Sequence, residues 1–149
     1  MTIHFKSSPV FRWCAKLLRT DVRGYKNLSQ LGADSENPWI QKSAQIPGWL
    51  FEGEHQRLWE LATESSDGDI AEIGTWMGKS ACIFAGACIA SAPETRVWCI
   101  DPFTMLGPSN QMNYHHRIMG KKSQGTFYQF CKFAESLGFS SHVLLSASV

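Results

Sequence analysis

Apolar positions along this chain follow two different periods, and the switch between them marks out the elements. From Pro9 to Arg19, Val10, Trp13, Cys14, Leu17 and Leu18 fall on one helical face, with Arg12, Lys16 and Arg19 on the other. Such a helix reads first as a peripheral one packed against a neighbouring domain or the sheet, with a membrane surface or a partner as the alternative. Asp21 to Ser43 loses the period. Gly24, Gly32 and Pro38 punctuate it, so it reads as linker and turns. Ile46-Pro47-Gly48-Trp49 then turns into a helix over Glu52 to Ser65, with Leu58, Trp59, Leu61 and Ala62 as its apolar positions. Trp49 and Phe51 either pack in the core or touch a ligand. Glu52, Glu54, Glu60 and Glu64 read as a solvated helix face.

Three short apolar runs follow with strand character: Ile70–Ile73, Arg96–Ile100 and His142–Leu145. Two helical patterns alternate with them. Lys79 to Ala92 is rich in small residues (Ala81, Ala85, Gly86, Ala87, Ala90), so it can lie close to a sheet before Pro93 ends it. Gly125 to Leu137 places Phe127, Phe130, Cys131, Ala134 and Leu137 at helical spacing, with Gly138 as C-cap. The alternation predicts an α/β protein: a Rossmann-like parallel sheet with flanking helices, incomplete at about three strands, plus an N-terminal helical extension. Phe103 to Gly125 is a long polar loop, of the kind that is functional or disordered in a compact domain.

The stretch Asp69 to Ser80, DIAEIGTWMGKS, carries the candidate chemistry. A strand runs into a turn flanked by Gly74 and Gly78 and then into a helix, the arrangement at which parallel sheets bind nucleotide-like ligands. Its GKS ending suggests a phosphate-binding loop, G-x-x-x-x-G-K-S/T. That motif needs glycine at position 73, which is Ile, and Gly74 leaves the loop one residue short. Glu72 at the strand tip would repel a triphosphate and attract an ammonium or sulfonium. The spacing Glu72, Gly74, Gly78, Ser80 therefore favours a cationic nucleoside over a phosphate loop, a dinucleotide or a purely structural turn. One strand later, Asp101-Pro102 closes Arg96–Ile100. An acid there can accept hydrogen bonds from two adjacent ribose hydroxyls, or cap a turn before Pro102.

With these residues in place, the segment from about Ile46 to Val149 resembles the N-terminal half of a class I S-adenosylmethionine-dependent methyltransferase. It is similar to the small-molecule O-methyltransferase-like group with an E-I-G-x-x-x-G-x-S first motif. Glu72, Gly74, Gly78, Ser80, Asp101 and the strand leading to Ser146-Ala147-Ser148 carry the resemblance. It implies S-adenosylmethionine as cofactor. The turn from Gly74 through Thr75 and Trp76 to Gly78 and Ser80 would approach the methionine part. Asp101, with Pro102 beside it, would hold the ribose, and Ser146, Ala147 and Ser148 would line the adenine. It divides the chain into residues 1–45, a helix and polar linker, and residues 46–149, the cofactor-binding part of the domain. The family's domain has about seven strands. Three are visible here, and no Asp-Gly-Asp-His type segment that would bind metal or substrate follows them. The expectation is a fragment, inactive alone, whose strand Ile70–Ile73 is an open apolar edge calling for self-association or a C-terminal half to cover it.

Composition adds limits. The chain is 44% hydrophobic and 18% charged with net charge +1, which argues against a strongly basic nucleic-acid binder; a small-molecule substrate is what the resemblance implies. Residues 1–30 carry six Lys/Arg against one Asp, whereas residues 31–72 carry nine acids against two bases. Cys14, Cys82, Cys88, Cys99 and Cys131 show no C-x-x-C spacing and suit buried free thiols in a reducing cytoplasm. No signal peptide is visible, and the longest apolar run, Ala81 to Ala92, is too short to span a bilayer. No metal-ligand spacing links the histidines. His115 and His116, in the long loop, are the candidate acid–base groups for deprotonating an acceptor hydroxyl, with a solvated loop pair as the alternative.

Overall fold

The computed structural model describes residues 31–65, 68–104 and 125–147. The helix expected over Pro9–Arg19, Cys14, most of the long loop with His115 and His116, and Ser148 lie outside the described residues.

The first described helix, α1 (Pro38–Ser43), falls in the stretch expected to be linker. Its start is nonetheless written locally. Asn37 Oδ1 accepts from the backbone N–H groups of Trp39 at 2.9 Å and Ile40 at 3.4 Å, and Pro38 occupies the first helical position, where its missing N–H costs nothing. Buried Ile40 and Ser43 fasten it to the body. Helix α2 (Glu54–Glu64) begins after Gly53, which takes a left-handed φ of 81°. The acidic face expected there is only partly solvated. Glu54 is buried, with Oε2 accepting the Phe51 N–H at 2.7 Å, so it tightens the helix entry instead of facing water.

Strand β1 (Ile70–Ile73), helix α3 (Lys79–Ser91), strand β2 (Val97–Ile100), helix α4 (Gly125–Leu137), a 3-10 turn (Ser140–His142) and strand β3 (Val143–Ser146) complete the order. The third strand starts one residue later than expected because His142 belongs to the 3-10 turn. The sheet is parallel throughout, in the order β1-β2-β3, with Ile73, Ile100 and Ser146 in one row. This is the incomplete Rossmann-like α/β arrangement the sequence predicts.

Alternation along the strands gives the sheet two unlike faces. Val97 and Cys99 are fully buried and join Met77, Ala81, Cys82, Ala85 and Cys88 around α3 and Phe130 and Ala134 of α4 in one core. On the opposite face Ile73 is 85% exposed, Trp98 43% and Leu144 38%. Ile73 forgoes most of the about 1.5–3 kcal/mol available from full burial, and the half-buried Trp98 and Leu144 only part of theirs. Strand β1 ends the row of described strands, the open apolar edge that the sequence predicts.

Two glycines let the helices approach. At Gly86 an added Cβ would lie 2.2 Å from the Trp39 ring, so α1 lies directly on α3. At Gly78 it would lie 2.6 Å from Phe130, so the glycine turn leans on α4.

Candidate cofactor-binding site

The carboxyl ends of β1 and β2 meet at the glycine turn. The ladder runs one residue beyond β1, with the Gly74 N–H donating to the Ile100 carbonyl at 2.9 Å. Gly74 then takes φ 86°, and no atom of the described residues lies within 4 Å of where a Cβ would stand. Among the described residues, Gly74 is thus not packed against, unlike Gly78. The turn closes when the Gly78 N–H donates to the Thr75 carbonyl at 2.9 Å. Gly78 is the N-cap of α3 with φ 91°, and no side chain caps that helix end.

Glu72 braces this turn from beneath. Its Oε2 accepts from the Thr75 hydroxyl at 2.9 Å, and its Oε1 accepts from the Ser80 hydroxyl. Burial pushes the Glu72 pKa up and the nearby Asp101 carboxylate adds to the rise, while the two hydroxyl hydrogen bonds oppose it. Glu72, Thr75 and Ser80 are thus brought together as one bonded unit.

Asp101 stands beside them at the end of β2, its backbone N–H bonded to the Ser146 carbonyl at 3.2 Å. Its Oδ2 accepts the Trp76 N–H at 2.9 Å and its Oδ1 accepts the Phe103 N–H at 2.7 Å. Trp76 and Phe103 are the two non-glycine residues with left-handed backbones among those described, φ 50° and 49°. One carboxylate therefore holds both strained residues, each costing about 1–3 kcal/mol on its own. The Phe103 bond is the turn-capping role foreseen as an alternative to ribose binding. Each carboxylate oxygen retains acceptor capacity for a hydroxyl. Pro102 is exposed beside Asp101, Ser146 ends β3, and Ala147 follows it exposed.

Lys79 takes a direction its motif does not suggest. It is 4% exposed, and its Nζ donates to the carbonyls of Ser43 and Ile46, each at 3.1 Å. Burial pushes its pKa down to about 8. Above it, Trp49 is 39% exposed and stacks on Trp76 with ring centroids 5.1 Å apart and planes 18° from parallel. Trp49 is a rim residue of the turn, not a core residue. The signal for Lys79 was its position at the head of an almost wholly apolar helix, which the phosphate-loop pattern overshadowed.

Four described cysteines are free thiols, and burial pushes Cys82 and Cys99 up to about 12, which keeps both protonated and inert. No group of three His, Cys, Asp or Glu that could hold a metal ion occurs among the described residues. No described helix is long and apolar enough to cross a membrane. Comparison with family models and with curated proteins finds no match for this chain.

Proposed function

We propose that this chain binds S-adenosylmethionine at the Gly74–Gly78 turn and Asp101, and serves methyl transfer to a small-molecule hydroxyl or amine in the cytoplasm. The carrying observation is the open space over Gly74 at the carboxyl end of β1, beside an acid ending the neighbouring parallel strand. Two carboxylates near one open turn favour a ligand that is positive where it meets the protein and hydroxylated one strand away. The cofactor would supply the electrophilic methyl on its sulfonium. The chain's own residues would bind and orient: Glu72 shaping the turn, Gly74 admitting the ligand backbone-close, and Asp101 receiving ribose hydroxyls. Ser146 and Ala147 stand at the end of β3, where the adenine would lie. His115 and His116 are the groups proposed to take the acceptor's proton. The sheet face with exposed Ile73, and the β1 edge that has no partner among the described residues, suit further polypeptide, either additional strands or a second copy.

Calorimetric titration with S-adenosylhomocysteine tests the reading. Saturable binding, weakened by Asp101→Ala, is the expected result. Magnesium-dependent binding of ATP without binding of S-adenosylhomocysteine would favour the phosphate-loop reading, against which the attachment of Lys79 to the Ser43 and Ile46 carbonyls already counts. Binding of neither would favour an interaction module with a structural turn.

A further inference from the structure

We infer that Lys79 is a positioning residue which seats Trp49 on Trp76, making Trp49 a ligand-contacting wall of the glycine turn; the ligand part of this rests on the function proposed above. Lys79 is the first residue of α3 and follows Gly78 directly, so its backbone belongs to the turn. Its side chain reaches back 33 and 36 positions to the carbonyls of Ile46 and Ser43. These carbonyls lie in the segment that leads to Trp49. Gly48 completes the clamp: a Cβ there would meet Lys79 Cδ at 2.9 Å and Lys79 Cβ at 3.0 Å, so the chain lies flat on the lysine stem. The next residue is Trp49, stacked on Trp76, whose own N–H is held by Asp101.

The path therefore closes a ring: Gly78, Lys79, Ile46, Gly48, Trp49, Trp76 and back to the turn. A buried ammonium with two carbonyl acceptors is a costly way to hold a loop unless the position of that loop matters. What it positions is a large, partly exposed aromatic ring at the edge of the site. An electron-rich indole suits a sulfonium-bearing ligand, which it attracts through its ring quadrupole.

Two stacked indoles give an exciton couplet in circular dichroism, and the difference between the full chain and Trp49→Phe isolates it from the other tryptophans. In the full chain, Lys79→Met and Gly48→Ala are expected to abolish that couplet and to weaken S-adenosylhomocysteine binding about tenfold. Trp49→Ala is expected to weaken binding to a similar degree. Ala134→Gly, a core change on α4 away from the clamp, is expected to keep the couplet, which separates loss of the clamp from general loosening. A couplet that survives both Lys79→Met and Gly48→Ala overturns the clamp. A lost couplet with unchanged binding overturns the role of Trp49 as a wall. If the full chain binds no S-adenosylhomocysteine, the proposed function fails and the ligand-contact claim falls with it, while the couplet still decides the clamp.

Discussion

The side chain of Asp101 accepts a hydrogen bond from the backbone N–H of Trp76 at 2.9 Å, across 25 positions of sequence. That bond joins the turn after β1 to the end of β2. Because the same carboxylate holds the Phe103 N–H, replacing it should loosen both left-handed residues at once. Asp101→Ala is expected to lower unfolding free energy by about 3 kcal/mol, the scale for losing hydrogen bonds to a charged group, and Asp101→Asn by about half as much, since one acceptor remains. Urea melts of the two variants check this. Asp101→Ala should also weaken S-adenosylhomocysteine binding more than Lys79→Met does, and equal losses would count against direct contact by Asp101.

Gly74 and Gly78 have nearly the same backbone angle but unlike surroundings, so alanine should separate their roles. Gly78→Ala meets Phe130 as well as backbone strain and is expected to cost about 2–4 kcal/mol. Gly74→Ala meets only strain, about 1 kcal/mol, yet its methyl would fill the open space over the turn. Thermal melts should therefore show Gly78→Ala as the less stable variant. Titration should show Gly74→Ala as folded but impaired in ligand binding.

His55 gives the fold an acid limit. It is buried, its Nε2 has no hydrogen-bond partner among the described residues, and burial, helped by the Lys79 charge, pushes its pKa down to about 4 from 6.5. Between these values the unfolded chain takes up a proton that the folded chain refuses. The stability contributed is present above pH 6.5 and is lost as pH falls toward 4. Glu54 and Glu72, both raised by burial, work in the opposite sense. The comparison that isolates His55 is thus with His55→Gln, whose stability should fall less steeply than the parent's over that window.

The bare face of the sheet should be sticky. Ile73, Trp98 and Leu144 stand on it in adjacent strands, beside the edge of β1 that has no strand partner among the described residues. Sedimentation velocity should show association that rises with concentration, and Ile73→Lys combined with Leu144→Lys should reduce it. Association unchanged by both lysines would place the contact elsewhere.

Much of this was legible in residue order. The helices Lys79–Ser91 and Gly125–Leu137 lie where period and punctuation put them, and the three strands differ from expectation by one residue at most. Local pattern suffices for both helices because each is bounded by its own glycine or proline: Gly78 and Pro93, Gly125 and Gly138. Helix α1 was missed because six residues hold too few apolar positions to show a period, although Asn37-Pro38 marks its start. The buried Glu54 and the Trp49–Trp76 stack were not readable at all, and for Lys79 the apolar helix signalled burial but not which carbonyls it would meet. Each depends on which distant segment lies opposite, and spacing along the chain carries no such information.

Phe130 has a consequence for anyone wishing to move this site. Its ring lies against Gly78 at one end of the glycine turn and edge-on to Phe103, two residues after Asp101, with centroids 6.0 Å apart. Both halves of the site thus lean on one side chain from a helix that follows them by more than 20 residues. A graft carrying only the strand, turn and helix from Asp69 to Ala92 into another scaffold would transfer the motif without its keystone. The smallest portable unit includes α4.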